Sequence, residues 1–196
     1  KTMDSLEKDL HFKGYKKIVG IDESGRGPLA GPLVIASVIF PKYQKPFIVA
    51  DSKGLSKKER EYFFEKIYDF AEEINITVVE STEIDSLGIS NAVKEHMEIN
   101  LKSLKSKWDI ALVDFVKLDK SINHVPLVKG DEISHTVAAA SIIAKVVRDR
   151  IMEDYKKIYP NFSFDTHKGY PTKKHYEEIK KFGITPIHRR SFNLGV

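Results

Sequence analysis

The chain has 196 residues, of which 41% are hydrophobic and 31% charged, a composition typical of one ordinary globular domain. It contains no cysteine, so disulfides, thiolate zinc sites and cysteine nucleophiles are excluded. Any metal site must therefore be built from oxygen and imidazole ligands. The net charge of +4 permits a polyanionic partner but does not require one.

No segment has the pattern of a membrane anchor or an export signal. The longest apolar stretch, residues 28–40, has 13 residues, is interrupted by Gly31 and Pro32, and is too short to span a bilayer. The N-terminal residues contain no apolar run of the kind that a signal peptide needs. We therefore expect no membrane contact and a cytoplasmic location.

In chain order, β-rich and helical patterns alternate, which predicts an α/β fold. Ser56 and Glu59 have the spacing of a capping box, and Ser90 is predicted to cap the next helix. Pro160 and Gly183 are expected to stop the last two helices. The predicted strands are 17–22, 33–40, 74–80, 108–113 and 125–129, and the predicted helices begin at Ser56, run from Ser90 to about residue 105, and cover 134–159 and 171–181.

Helical spacing also predicts which faces are buried. On the helix after Ser56, the core-facing residues are expected to be Phe63, Phe64, Ile67 and Phe70. The long helix is expected to bury Val137, Ile143, Val147 and Ile151. Another face of it presents a stripe of small and polar side chains that a phosphodiester backbone could approach, made of Ser134, Ala138, Ser141, Lys145 and Arg148.

Acidic residues recur where predicted strands end. Asp22 and Glu23 close the first strand, Asp114 closes a later one, and Asp131 follows a short strand. Carboxylates that converge at the carboxyl ends of strands repel each other unless a cation intervenes, and Mg²⁺ or Mn²⁺ suits an all-oxygen site. Adjacent strand residues point to opposite faces, so we expect the chain to leave the strand at Glu23.

Five motifs in family order resemble type 2 ribonuclease H, the bacterial ribonuclease HII family. They are GIDESGRGPLAGPLV, DSKGLSKKE, KGDEISHTVAAASIIAKVVRDR, THKGYPTKKH and HRRSF, and together they span residues 18–192. The resemblance implies a ribonuclease H-like α/β fold with a central mixed sheet of about five strands flanked by helices. It further suggests a catalytic core over residues 1–159 and a basic, helical C-terminal lobe over residues 160–196 packed on that core.

The resemblance also implies the chemistry. Asp22, Glu23, Asp114 and Asp131 would be catalytic and would bind two Mg²⁺ or Mn²⁺ ions roughly 4 Å apart at the scissile phosphate. Hydrolysis would leave a 3′-hydroxyl and a 5′-phosphate. The family pattern implies cleavage of RNA in RNA/DNA hybrids and nicking 5′ of single ribonucleotides in duplex DNA, and hence the removal of misincorporated ribonucleotides.

Recognition of the ribose is expected at a glycine-flanked turn. In the resembled family the backbone of Gly25, Arg26 and Gly27 would hold the ribonucleotide's 2′-hydroxyl, the group that distinguishes RNA from DNA. Tyr170 would stack on the deoxyribose that follows. The further candidates for contact with nucleic acid are Lys53, Ser141, Lys145, His167 and Arg190. The expected partners are RNA/DNA hybrids and DNA duplexes that contain ribonucleotides, and we expect a monomer.

Several positions depart from the family pattern. Phe115 follows Asp114 where glycine is common, and Glu132 and Ile133 stand where a small residue and a lysine are common. Ser24 is a milder departure. Glu132 is expected to add negative charge beside the metal site, which would affect metal and substrate affinity but not the type of reaction.

Two alternative functions use the same residues. A metal-free ribonuclease could use His167, His175 and His188 as acids and bases, and such an enzyme would remain active in EDTA. A binding module without catalysis would explain the basic charge and Tyr170, but not acids beside a basic groove, because they would weaken phosphate binding. Turnover of a duplex that contains one ribonucleotide distinguishes the module from an enzyme.

Overall fold

A mixed sheet organises the part of the chain that the computed structural model describes, which is residue 3 and residues 5–48 and 52–196. Its five strands are β1 (Ile18–Ser24), β2 (Leu33–Ile39), β3 (Glu73–Val79), β4 (Ile110–Asp114) and β5 (His124–Leu127). The strand order is β3-β2-β1-β4-β5. Strand β2 is antiparallel to both β1 and β3, and β4 is parallel to both β1 and β5. The predicted mixed α/β sheet is confirmed.

Helices of very different lengths surround this sheet. They are α1 (Ser5–Phe12), α2 (Lys57–Phe70), α3 (Ser81–Leu87), α4 (Ile89–Lys102), α5 (Gly130–Ile133), α6 (His135–Ile158), α7 (Phe164–His167) and α8 (Lys173–Phe182). The short helices α1, α3, α5 and α7 were not predicted, because two turns or fewer show too little periodicity. Across the described ranges, no helix combines the length and apolar character needed to cross a membrane.

The predicted helix caps are present with one exception. Ser56 and Glu59 form the capping box of α2, in which each side chain accepts the other residue's backbone N–H at 3.1 Å. Gly183 ends α8 as predicted, and Ser134, where the long helix was predicted to begin, caps α6 through its hydroxyl. Ser90 does not cap α4, which begins one residue earlier. Gly88, with a φ of 82°, separates α3 from α4 and replaces a side-chain cap.

Two apolar layers hold the helices on the sheet, and β2 is buried along its whole length. Phe63, Phe64 and Ile67 of α2 pack into one layer as predicted. Phe70 was predicted to be buried but is 45% exposed, because it is the last residue of α2 and contacts only the rim of that layer through the ring of Phe47.

Helix α6 lies directly against β1, and small side chains make this possible. Ala138 and Ser134 are fully buried, and a Cβ added to Gly20 of β1 would lie 2.5 Å from the carbonyl oxygen of Thr136. The expectation that Ser134 and Ala138 face a phosphodiester backbone is therefore wrong. Their small size serves close packing of helix on sheet. The core-facing residues of α6 are confirmed as buried or half-buried, namely Val137, Ile143, Val147 and Ile151.

Residues 160–196 pack on the loop between β1 and β2 and on the C-terminal half of α6. Phe162, Phe164 and Ile179 form an apolar cluster with Leu29 and Met152. The strand-like contact between residues 30 and 188 ties the same loop to the C-terminal tail. The division after residue 159 stays a prediction, and α6 contributes side chains to the packing on both sides of it.

Candidate active site

A cleft of about 510 Å³ opens beside the C-terminal ends of the parallel strands β1 and β4. Ligand sites in α/β sheets form at this edge, because neighbouring parallel strands end there together. The cleft brings together every predicted site residue except His167 and Arg190. Its lining residues are Asp22, Glu23, Ser24, Gly25, Arg26, Gly27, Lys53, Arg60, Asp114, Asp131, Ser141, Lys145 and Tyr170.

The first two acids lie at the end of β1. Asp22 is 5% exposed, and its Oδ1 accepts the backbone N–H of Glu23 at 2.8 Å. We expected the chain to leave the strand at Glu23, but its pairing with β2 continues to Ser24. The turn comes two residues later than expected, at Gly25, whose φ of 101° favours glycine. Glu23 still lines the same cleft as Asp22.

The other two acids approach from β4 and α5. Asp114 is the last residue of β4, and its Oδ1 accepts the backbone N–H of Gly130 at 2.7 Å. Asp131 follows at once in α5 and is 5% exposed. Phe115 has a φ of 64°, so the position after Asp114 needs a left-handed backbone, which explains why glycine suits it.

The acids interact electrostatically. Burial, followed by the charges of Glu23 and Asp114, raises the pKa of Asp22 well above its usual value. Burial also raises the pKa of Asp114, as do the charges of Asp131 and Glu132, while the Gly130 N–H and Lys53 oppose that rise. Glu132 therefore adds negative charge beside the site, as its sequence position indicated.

This arrangement fits divalent cations. All four acids offer oxygen ligands, and Glu23 Oε2 is buried without a hydrogen-bond partner in the described part of the chain. Across those same residues, no three acidic or histidine side chains already form a compact ligand set. One carboxylate oxygen of Asp22 and one of Asp114 each accept a backbone N–H.

Cationic side chains line the cleft beside the acids. Lys53 is exposed, whereas Lys145 is half-buried and pairs with Asp149 at 3.0 Å. Arg60 of α2 was not predicted, and its Nη1 donates to the carbonyl of Leu55 at 2.6 Å. No local sequence signal marks Arg60, because only the packing of α2 on the sheet brings it to the cleft. The neighbouring residue 51, part of the DSKG motif, lies outside the described residues.

Tyr170 stands next to the glycine-flanked turn. A Cβ added to Gly27 would lie 3.9 Å from Cε1 of the Tyr170 ring. The Tyr170 carbonyl accepts a hydrogen bond from Nδ1 of His175 at 2.9 Å. This bond requires the His175 ring to carry a proton on Nδ1. The preceding Gly169 has a φ of 89°, and it packs so closely on the carbonyl of Ala30 that no side chain fits there. Tyr170 is thus held beside the turn by its backbone.

Two predicted contacts with nucleic acid lie outside the cleft. His167 is buried, its Nε2 meets Glu178 Oε1 at 2.7 Å, and its Nδ1 accepts the N–H of Gly169 at 3.0 Å. Both ring nitrogens are therefore occupied within the protein. Arg190 is exposed and contacts Asp85 through its backbone N–H at 3.0 Å.

The buried histidines also decide against the metal-free ribonuclease. His167 and His175 stack with their ring centroids 4.2 Å apart, and Nε2 of His175 meets Nε2 of His188 at 2.9 Å. All three side chains are buried within the segment formed by residues 160–196, and none of them lines the cleft. They cannot act as acid and base on a substrate that binds beside Asp22.

The prediction for Arg148 is wrong. This residue was placed in the polar stripe of α6, but its side chain is fully buried. Its guanidinium donates to the carbonyls of Pro32, Ala30 and Lys168 at 2.8 to 3.0 Å. It is therefore part of the protein interior, while Ser141 and Lys145 of the same stripe do reach the cleft.

The mixed sheet with acids at the ends of its central strands, beside a cationic rim, defines a nuclease with a ribonuclease H-like fold. A family model described as ribonuclease HII matches residues 19–194. The chain therefore belongs to the ribonuclease HII family. It is an enzyme, an endoribonuclease of the hydrolase class, and not a module that only binds.

Individual relatives agree over nearly the whole chain. The chain is 82% identical to the ribonuclease HII of Sulfurihydrogenibium sp. strain YO3AOP1, over 99% of this chain and 98% of that protein. It is 51% identical to the ribonuclease HII of Aquifex aeolicus strain VF5, over 97% and 96%. The crystal structure of ribonuclease H2 from Pyrococcus horikoshii OT3 superposes with a TM-score of 0.77 and 30% identity, and covers 91% of this chain and 94% of that one.

Proposed function

We propose that this enzyme cleaves the RNA strand of RNA/DNA hybrids and also nicks duplex DNA on the 5′ side of a single ribonucleotide. The observation that carries the proposal is the position of the acids and of the Gly25–Gly27 turn with Tyr170 in one cleft. The acids suit the chemistry of a phosphodiester, and the turn suits the recognition of one sugar. Hydrolysis would leave 3′-hydroxyl and 5′-phosphate ends.

The turn has the properties that recognition of a 2′-hydroxyl requires. Gly27 is exposed and nothing but the Tyr170 ring lies within 4 Å of its Cβ position, so a sugar can approach the backbone. The N–H groups of Arg26 and Gly27 have no hydrogen-bond partner within the described ranges. Unpaired donors at this place can bind a 2′-hydroxyl, which DNA lacks.

Tyr170 and the cationic rim would orient the rest of the duplex. The half-buried ring of Tyr170 lies beside Gly27 in the cleft and can stack on the sugar that follows the ribonucleotide. Lys53, Arg60 and Lys145 can contact phosphates on either side of the scissile bond. These contacts would position the backbone for cleavage at the sugar that the turn recognises.

Asp22, Glu23, Asp114 and Asp131 would hold two divalent ions, Mg²⁺ or Mn²⁺. When bound, such ions supply Lewis-acid stabilisation to an attacking water and to the charge that develops at the phosphate. Their positive charge would offset the repulsion from Glu23 and Asp114 that, after burial, raises the pKa of Asp22. The substrate would be cellular DNA with misincorporated ribonucleotides. We propose that the enzyme acts in the cytoplasm and as a monomer.

The test is a labelled DNA duplex with one ribonucleotide, incubated with Mg²⁺, and the nick mapped at nucleotide resolution. We expect a nick on the 5′ side of the ribonucleotide, none in the all-DNA duplex of the same sequence, and none in EDTA. An RNA/DNA hybrid of that sequence should be cut at several positions. A nick on the 3′ side, or activity in EDTA, would refute the proposal.

A further inference from the structure

Two buried arginines hold the backbone that carries the cleft turn. Arg189 and Arg148 are both fully buried. Arg189 donates to four backbone carbonyls, those of Gly25 at 2.6 Å, Arg26 at 3.1 Å, Gly31 at 3.0 Å and Pro32 at 3.2 Å. A single side chain of the C-terminal tail therefore binds both ends of the loop between β1 and β2.

These bonds determine where the turn's N–H groups point. In a trans peptide unit the carbonyl and the N–H point in opposite directions. Because the carbonyls of Gly25 and Arg26 point inward to Arg189, the N–H groups of Arg26 and Gly27 point away from it. Those are the donors that have no partner in the described part of the chain and that line the cleft.

Arg148 connects this loop to the segment that carries Tyr170. Its Nη1 donates to the carbonyl of Lys168 at 2.8 Å, and its Nε and Nη2 donate to Pro32 and Ala30 at 2.8 and 3.0 Å. The guanidinium carbon of Arg148 also lies 5.5 Å from the centroid of the Tyr170 ring. The carbonyl of Pro32 is thus shared by both arginines.

The charge and shape of the guanidinium explain why arginine occupies these positions. Neither Arg189 nor Arg148 forms an ion pair within the described ranges. Burial lowers the pKa of Arg189 to about 9 and that of Arg148 to about 10, so both stay protonated at neutral pH. One side chain that binds carbonyls at several points needs a planar group with five donors, which the guanidinium of arginine provides. The lysine side chain does not offer such a group.

We propose that Arg189 and Arg148 are positioning residues for ribose recognition. Arg189 orients the N–H donors of the Gly25–Gly27 turn, and Arg148 sets the distance between that turn and Tyr170. Neither arginine contacts the substrate. This inference rests on the proposed function, in which the turn binds the 2′-hydroxyl, and it adds residues from α6 and the C-terminal tail to that recognition.

The test measures discrimination between ribose and deoxyribose. In full-length protein carrying Asp114→Asn to suppress cleavage, fluorescence anisotropy gives the Kd for a duplex with one ribonucleotide and for the all-DNA duplex. The preference for ribose is the Kd for the all-DNA duplex divided by the Kd for the duplex with one ribonucleotide. Adding Arg189→Lys should reduce this ratio about tenfold, the effect of one well-formed hydrogen bond. The Kd for all-DNA duplex should stay within about twofold, because phosphate contacts remain.

Partial unfolding cannot imitate this result, because an inactive fraction changes both Kd values alike. The matched control is Arg150→Lys, which alters an exposed arginine of α6 and should leave the ratio unchanged. If Arg189→Lys does not fold, Arg148→Lys is measured in the same way and should lower the ratio several-fold.

The outcomes separate the two proposals. If the parent protein prefers the ribonucleotide duplex and the arginine variants keep that preference, the arginine inference is overturned while the proposed function stands. If the parent protein shows no preference, ribose recognition by the turn fails and the arginine inference fails with it.

Discussion

At the scale of single residues, the cleft gathers acidic side chains whose burial and whose proximity to one another are both destabilising. Asp22 is buried next to Glu23 and near Asp114, and like charges at short range destabilise each other. A folded protein keeps such a group of acids where a bound cation offsets the repulsion.

Asp114→Asn should lower cleavage by about 100-fold or more, because it removes one ligand charge. The fold should persist, since the Asn oxygen can still accept the Gly130 N–H. Steady-state cleavage and the melting temperature measure the two effects. Asp119→Asn, which removes a carboxylate that bonds to Ser121 instead, is the matched control and should be fully active. An active Asp114→Asn enzyme would remove Asp114 from the metal site.

Tyr170→Ala should reduce kcat/KM at a single ribonucleotide by roughly tenfold or more, since stacking on an aromatic ring contributes about 1–3 kcal/mol. Tyr170→Phe keeps the ring and should stay near the wild-type value. The Mg²⁺ concentration that gives half-maximal activity should not change in either variant. If Tyr170→Ala weakens metal binding as strongly as cleavage, the residue acts on the structure of the site.

At the scale of elements, the site depends on how closely α6 approaches β1 and on how the C-terminal segment holds the β1–β2 loop. The first contact fixes where Ser141 and Lys145 stand relative to the acids. The second contact passes through buried polar groups, the histidines and arginines, rather than through apolar side chains alone. Each contact should therefore have its own measurable effect on the free energy of unfolding.

Gly20→Ala should destabilise the protein by about 1–3 kcal/mol, the usual effect of adding a methyl group to a tight core. The new Cβ would lie 2.5 Å from the Thr136 carbonyl oxygen and 2.6 Å from the Val137 nitrogen, both of which are helix backbone. Denaturant unfolding at pH 7 measures the loss. A loss well below about 1 kcal/mol would contradict the close packing of α6 on β1.

His188→Gln should weaken the pH dependence of stability. Burial, followed by the charges of His175 and His167, lowers the pKa of His188 to about 4, whereas the unfolded side chain titrates near pH 6.5. The unfolded state therefore takes up the proton first, and stability declines as the pH falls from 6.5 towards 4. We expect the wild type to lose about 2 kcal/mol more than the variant between pH 7 and pH 5.

Denaturant titrations at pH 8, 7 and 5 measure this difference. Between pH 8 and pH 7 the two proteins should change alike. His167 and His175, whose pKa values burial also lowers, together with Glu178, face the same cluster and retain part of the pH dependence in the variant. Parallel losses of stability down to pH 5 would show that His188 is not buried in its neutral form.

At the scale of the whole molecule, one cleft joins segments that are distant in the chain. Its acids come from β1, β4 and α5, its cations from the β1–β2 loop, the 52–60 region and α6, and its tyrosine from the segment before α8. Substrate and metal binding should therefore stabilise the entire fold rather than one local element.

Mg²⁺ should raise the melting temperature, because it binds the folded cleft and not the unfolded chain. A chain of this size gains about 2–4 °C for each kcal/mol of binding free energy. Scanning fluorimetry with MgCl₂ and with NaCl at equal ionic strength measures the effect. Asp114→Asn should show a smaller Mg²⁺ shift than the wild type. A shift of the same size with NaCl would mean that general screening, and not a site, is responsible.

Much of the fold and of the site could be predicted from local pattern. The spacing of Ser56 and Glu59 determined a helix start, alternation of patterns determined the α/β class, and acids after β-rich runs indicated Asp22 and Asp114 as site residues. These features depend on neighbours in the chain, whose relative geometry the backbone restricts to a few conformations.

Only the tertiary structure decided which polar side chains face the cleft and which face the interior. His167 and Arg148 belong to residue types that often contact nucleic acid, yet His167 is buried against α8 and Arg148 against the β1–β2 loop. Arg60 reaches the cleft without any local signal. Adjacent Arg189 and Arg190 have the same chemistry but opposite fates, one buried and one exposed. The reason is physical: burial depends on surfaces supplied by distant segments, and those surfaces exist only when the chain has folded.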